Sequence, residues 1–156
     1  MSPSILLRDV TASDLPIFFE QQLDPEATAM AAFPSRNKES FMAHWARIMK
    51  DDSNVLRTIL FDGQVAGNIV SWKQAGEREV GYWIGREYWG KGIATRALME
   101  LLEIVKTRPL RAHVAKHNIA SRRVLEKCGF EVIGMEWVLD EEGNQQVEEF
   151  ILKIGY

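Results

Sequence analysis

A chain of 156 residues with 46% apolar and 26% charged side chains is sized and composed for one globular domain with a continuous core. Its formal charge of −3 offers no basic field to nucleic acid, and no apolar run approaches the length of a membrane span. The single cysteine, Cys128, excludes an internal disulfide, and Ser2 to Val10 carries charge too early for a signal peptide, so the cytoplasm is the expected location.

Ile5 to Val10 predicts a strand. Thr11 then starts a helix, with Asp14 three residues on in a variant of the capping box, that runs to about Leu23. Asp24-Pro25 and Phe33-Pro34-Ser35 break the chain before a second helix from about Lys38 to Asp51, with Phe41, Trp45, Ile48 and Met49 along one side. Strands are predicted at Asn54 to Phe61 and Gln64 to Lys73, joined by Asp62-Gly63, a dipeptide that supplies the positive φ angles of a two-residue hairpin. Glu77 to Ile84 follows as a third strand, with Val80, Tyr82 and Ile84 on one side and Glu79 and Trp83 on the other.

The segment from Tyr88 to Ala94 reads Tyr-Trp-Gly-Lys-Gly-Ile-Ala, and beyond it Ala97, Leu98, Leu101, Leu102 and Val105 repeat with the period of one helical face. Glycines without Cβ let a backbone approach a ligand closely, and a helix start presents unpaired N–H groups at its positive dipole end. Together these make a phosphate cradle. Two nucleotide loops are nearly matched. From Gly85 to Lys91 the spacing is that of a Walker loop, but Gly92 stands where a Ser or Thr must reach magnesium; in the dinucleotide pattern, Thr95 occupies the last glycine position. Both departures argue against nucleotide chemistry.

Pro109 stops the chain before a strand from Leu110 to Ala115, and Asn118 opens a helix with Ser121, Val124, Leu125 and Cys128 on one face, ended by Gly129 as a C-terminal cap. Phe130 to Leu139 and Gln146 to Ile154 predict a last hairpin around Asp140 to Asn144. His44 has no carboxylate or cysteine at metal-ligand spacing and His113 and His117 straddle a strand end, so all three read as structural or solvated and no metal site is expected. The order of elements implies an α/β domain, a mixed sheet with helices on its faces.

Three segments, Gly81-Tyr82-Trp83-Ile84-Gly85, Tyr88 to Thr95, and Asn118-Ile119-Ala120-Ser121 with Glu126 to Phe130, resemble the GNAT superfamily of acetyl-CoA-dependent N-acetyltransferases. Within it they are most similar to the ribosomal-protein alanine and serine acetyltransferases. Trp89 departs from the Gln or Arg that often opens the family's cradle. The resemblance implies a single domain over residues 1–156, with a mostly antiparallel, splayed sheet of six to seven strands and about four helices. It implies acetyl-CoA as cosubstrate and no metal. The backbone amides of Trp89, Gly90, Lys91, Gly92, Ile93, Ala94 and Thr95 match the family's pyrophosphate site, and Trp83, Ile84 and Gly85 its pantetheine strand. An amide near Ile84 would polarise the thioester carbonyl.

The catalytic group it implies is Ser121, Glu79 and Asn118. Asn118 contacts the pantetheine, Ser121 lies near the cofactor sulfur, and Glu79, with Glu77 as second choice, takes the acceptor's proton. Met30, Phe33, Trp45 and Tyr82 are the expected acceptor wall. Many members carry a tyrosine acid where this chain has Leu125. The implied reaction is direct attack of a primary amine, a protein N-terminus or a small molecule, in a ternary complex. Loss of the tyrosine motivates the alternative of an acyl-CoA sensor or interaction module without turnover. A homodimer is one assembly the sequence allows; nucleic-acid and membrane partners are not expected.

Overall fold

The computed structural model describes residues 4–32, 35–139 and 146–155. β1 (Ile5–Asp9) passes through a 3-10 turn (Ala12–Asp14) into α1 (Leu15–Gln21), α2 (Pro25–Ala31) and α3 (Lys38–Met49). A meander of β2 (Val55–Phe61), β3 (Gln64–Gln74) and β4 (Glu77–Ile84) follows, then a second 3-10 turn (Arg86–Tyr88) and α4 (Ile93–Ile104). β5 (Leu110–Ala115), α5 (Ile119–Lys127), β6 (Glu131–Leu139) and β7 (Gln146–Ile154) complete the chain. The seven strands form one mixed sheet in the order β1-β2-β3-β4-β5-β7-β6. No helix among the described residues is long and apolar enough to cross a membrane.

Three helices, not two, separate β1 from β2. Asp24-Pro25, expected to act only as a break, starts α2: the Asp24 carboxylate accepts from the amides of Glu26 and Ala27, and Pro25 sits at the first helical position, where a missing N–H costs nothing. The hairpin expected at Asp62-Gly63 is present, with φ of 49° and 81° at the two positions. The predicted turn from Asp140 to Asn144 lies outside the described residues.

Two cores sit on opposite faces of the sheet. Alternate residues of β2 divide between them, Val55, Ile59 and Phe61 facing one and Leu56 the other. On the first face the α4 stripe of Ala97, Leu98 and Leu101 is fully excluded from solvent against Ile59, Ile69, Leu110 and Leu152. On the second face Leu15, Phe18, Phe41 and Trp45 pack together, with the Phe18 and Trp45 rings 5.1 Å apart. Trp45, expected in an acceptor wall, is thus a core residue. The start of α1 carries a closed polar network. Asp14 is buried there, yet accepts from the Arg8 guanidinium at 2.7 and 2.8 Å, the Thr11 amide at 2.9 Å and the Thr58 hydroxyl at 2.7 Å. These partners hold its carboxyl far below the usual carboxylate range, the Arg8 bond most of all.

The sheet parts in the middle. β4 and β5 are parallel and pair only at Arg78↔Leu110 and Glu79↔Arg111, so Val80 to Ile84 and Ala112 to Ala115 face each other without a ladder. β4 remains paired with β3 to its end, Gly67 opposite Ile84. The approach there is so close that a Cβ on Gly67 would lie 2.0 Å from the Trp83 carbonyl oxygen. Glycine at 67 therefore lets the end of β4 lean toward β3 and away from β5.

Candidate active site

The cradle is built as a bare helix start. Gly92 caps α4 with a left-handed φ of 73°, no side chain bonds the first-turn amides, and no acid occupies that turn. Gly90 is also left-handed, at 77°, and a Cβ added to either glycine would stand in open space. Among the described residues, the amides from Gly90 to Thr95 have no backbone acceptor, so this helix end leaves its donors unpaired with backbone.

The loop before it is firmly tied. The Trp89 indole donates to the Ile84 carbonyl at 2.9 Å, and Tyr88 packs edge-on against Phe61 with ring centres 6.1 Å apart. Arg86 pairs with Glu26 at 2.9 Å, joining the loop to α2. Trp89, the departure from the family pattern, thus uses its side chain to hold the cradle in place.

A cavity of about 470 Å³ runs from this cradle into the parted sheet. It is lined by Tyr82, Trp83 and Ile84 of β4, by Asn118, Ser121 and Val124 around α5, and by Ala27, Met30 and Ala31 of α2. Gly85 donates its amide to Ala66 at 2.8 Å, which fixes the alternation of β4: Trp83 bonds toward β3, while Tyr82 and Ile84 turn their amides toward the gap. The cavity therefore meets an unpaired strand edge, as an added strand would.

At the start of α5 the Asn118 side chain accepts from the Ser121 amide at 3.2 Å. The Tyr82 phenol lies 2.7 Å from Ser121 Oγ and donates to the Ser121 carbonyl at 3.2 Å. Burial pushes the Tyr82 phenol up to about 12, against a smaller opposite pull from the Ser121 bond. Leu125 is buried in the main core. The Cys128 thiol, raised by burial, points at the Thr95 carbonyl 3.6 Å away.

Most expected cofactor residues line the cavity: Trp83, Ile84, Trp89, Gly90, Gly92, Ile93, Ala94, Thr95, Asn118 and Ser121. Gly85 does not; the Gln21 side chain packs against it, and a Cβ there would meet Gln21 at 2.9 Å. Lys91 is exposed and outside the wall. Of the expected acceptor residues, Met30 and Tyr82 are present and Phe33 lies outside the described residues. Ala27, Tyr88, Ala120, Val124 and Lys127 also line the cavity and were not foreseen. For Val124 the signal existed, since it shares the helical face of Ser121.

Glu79, the expected base, stands apart from this cavity. It sits on the β4 face opposite Tyr82, buried, outside the cavity wall, with its carboxylate 3.0 Å from His113 Nε2. His113 Nδ1 also approaches Glu136 at 3.2 Å and Glu149 at 3.5 Å. The Glu149 and Glu79 bonds push the imidazole up to about 10, so it is a cation at neutral pH. His113, Glu136 and Glu149 have the spacing of a metal group, but the imidazolium already supplies the positive charge between the carboxylates. Glu77 is likewise engaged, in an ion pair with Arg111.

The model of the acetyltransferase (GNAT) domain matches residues 4–131. This chain belongs to the GNAT acetyltransferase family. YdaF of Bacillus subtilis, a protein named as a ribosomal N-acetyltransferase, is 32% identical over 100 residues, covering 60% of this chain and 55% of that protein. The matched part spans about half the length of the curated relatives, 55% and 48%. Among solved structures, a GNAT acetyltransferase from Bacillus anthracis superposes with a TM-score of 0.82 at 21% identity, covering 99% of this chain and 96% of that one. Mycobacterium smegmatis RimJ in complex with CoA-disulfide superposes at 0.77 with 20% identity, covering 96% and 81%. At these identities the structural likeness is one of fold. It is the fold of a family of acyl-transferring enzymes, and the nucleotide readings of the glycine loop end with it.

Proposed function

We propose that this GNAT domain moves an acetyl group from acetyl-CoA to a primary α-amine, such as a protein N-terminus, by direct attack in a ternary complex in the cytoplasm. One observation carries the reading: the uncapped start of α4, the unpaired edge of β4 and Ser121 are joined by a single cavity. The residues fit the cosubstrate. Six successive amides without backbone acceptors, and two glycines whose missing Cβ atoms leave the cradle open, suit a diphosphate. The Tyr82 and Ile84 amides suit a pantetheine arm laid along β4.

Acetyl-CoA supplies the activated acyl group; this chain's residues position it and steady the charge that moves. The Ile84 amide, turned toward the gap, would donate to the thioester oxygen as it gains charge. The Ser121 hydroxyl would donate a hydrogen bond to the departing sulfur, since an aliphatic hydroxyl is far too weak an acid to surrender its proton. Asn118 holds the first turn of α5, and with it Ser121.

The acceptor class follows from the proton the amine must lose. An α-amine of pKa about 7.7–8.0 loses it at neutral pH for about 1 to 1.5 kcal/mol, whereas a lysine-like amine near 10.4 costs about 4.6 kcal/mol and calls for a strong base. Glu79 is engaged by His113 on the other face of β4, so the easier amine is the better match. The apolar Ala27, Met30 and Ala31 then receive the acceptor's first side chain.

Purified protein should melt at higher temperature with CoA and release thiol from acetyl-CoA when given peptides with free N-termini, faster than with lysine side-chain amines. Glu79→Gln should leave α-amine turnover within a few-fold. A preparation that CoA does not stabilise, and in which no amine raises thiol release above hydrolysis, would overturn the proposal; stabilisation without turnover would leave a sensor.

A further inference from the structure

Ser121 of α5 has a hydrogen-bonding partner that lies 39 positions away in sequence, on β4. The Tyr82 phenol, projecting from β4, closes to 2.7 Å from Ser121 Oγ and to 3.2 Å from the Ser121 carbonyl, and both side chains line the cavity. We infer that Tyr82 is a positioning residue for acetyl transfer: it donates to Ser121 Oγ and so frees the serine's own hydrogen to point at the leaving sulfur. This rests on the acetyl-transfer reading given above.

The argument is one of hydrogen counting. The phenol has a single proton and two acceptors within reach, and the serine has a single proton and either the phenol oxygen or the sulfur to give it to. While the thioester is intact, either arrangement satisfies both hydroxyls. As the amine nitrogen bonds to the carbonyl carbon and the C–S bond breaks, the electron pair leaves on sulfur. An anionic sulfur draws the serine hydrogen, and Ser121 Oγ then becomes the acceptor of the phenol. The result is a two-bond chain, phenol to serine to sulfur, in which each bond polarises the next.

Tyr82 gives up no proton in this scheme. Its phenol, pushed up to about 12 by burial, is a weaker acid than a thiol of ordinary pKa about 8.5, so proton transfer from it to the departing sulfur is uphill. The proton that completes the thiol is the one released by the attacking nitrogen, carried through solvent. The neighbouring titratable groups are the Cys128 thiol and Lys127 on α5 and the Tyr88 phenol beside the cradle. Leu125, where many relatives have an acid, contributes none.

The experiment is a double-mutant cycle of Tyr82→Phe and Ser121→Ala, read in three ways: kcat and KM for acetyl-CoA, CoA affinity by calorimetry, and the pKa of the bound CoA thiol by ultraviolet difference titration. Tyr82→Phe should lower kcat roughly tenfold, the scale of one hydrogen bond to a developing charge, with KM and CoA affinity unchanged. It should raise the bound-thiol pKa, and it should change little in the Ser121→Ala background. The inference falls if Tyr82→Phe leaves kcat at the wild-type value, or costs the same factor with and without Ser121, as simple packing would. If Tyr82→Phe does not fold, Ser121→Ala alone decides: an unmoved bound-thiol pKa overturns the chain. Wild-type protein that binds CoA and transfers acetyl while the cycle fails sinks only this inference; wild-type protein that does neither sinks the functional reading beneath it.

Discussion

Among the described residues, the starts of α2, α3 and α5 are closed by capping side chains, α1 continues from a 3-10 turn without a side-chain cap, and the start of α4 is open. α2, α3 and α5 begin under Asp24, Asn37 and Asn118, whose side-chain oxygens accept first-turn amides, and α1 begins at Asp14 inside its network with Arg8, Thr11 and Thr58. α4 begins at Gly92 with neither cap nor acid. A closed start serves stability, because each satisfied donor is one less unpaired polar group. The open start forgoes that gain, and its donors stay available to a ligand. Substitutions that close the open start, or open a closed one, should therefore separate stability from binding.

The largest effect on stability is expected at Asp14. Asp14→Ala should cost about 1 to 3 kcal/mol, because it strands the buried Thr58 hydroxyl, and urea unfolding at neutral pH measures it. Acid tests the same network. Asp14 is held below its unfolded value, so its contribution is complete above about pH 4 and is lost as pH falls below that, toward the depressed folded value. Unfolding curves should show that loss in the wild type and not in Asp14→Ala.

At α4 the two readouts should move in opposite directions. Ala94→Glu places a carboxylate in the first turn, where it complements the helix dipole and should stabilise the free protein by about 0.3 to 1 kcal/mol. The same charge faces the proposed diphosphate and should weaken CoA binding by about 100-fold, or about 2.7 kcal/mol, in calorimetry. A variant that binds CoA as well as wild type would remove the cradle from the proposal.

His113 is a closed polar site of another kind, away from any helix start. Its imidazole is raised to about 10 in the folded protein from an unfolded value near 6.5, so its stabilisation is full below about pH 6.5 and fades as pH climbs toward 10. Partial exposure trims its worth to about 1 to 2 kcal/mol. Wild-type stability should decline by that amount between those pH values, and His113→Gln should remove the decline.

Features set by local chemistry were legible in the chain. The bounds of β4, β5 and β7 were predicted as observed, the apolar stripe of α4 followed from its period, and Asp62-Gly63 declared its turn. α2 was missed because an aspartate followed by proline is both a break and a helix start, and only the neighbouring contacts decide between them. What remained hidden is nonlocal. Nothing in the residues around Glu79 says that His113, 34 positions on, will take its carboxylate, nor around Trp45 that Phe18 will bury its ring. The close approach of β4 to β3 needs Gly67, which lies far from the glycine loop in sequence but directly opposite Ile84 in space.

The smallest effects give the finest comparison, between two caps of the same chemistry. Asn37 and Asn118 each accept a single first-turn amide, from Ser40 at 2.8 Å and from Ser121 at 3.2 Å. Replacing either with alanine should cost about 1 kcal/mol of stability, measured in urea. Only Asn118 lines the cavity, and only it holds the turn that carries Ser121. Asn37→Ala should therefore leave the CoA-induced rise in melting temperature as in wild type, while Asn118→Ala should reduce it and lower kcat together. Equal CoA responses from the two variants would make Asn118 an ordinary cap and leave Ser121 to be positioned by Tyr82 alone.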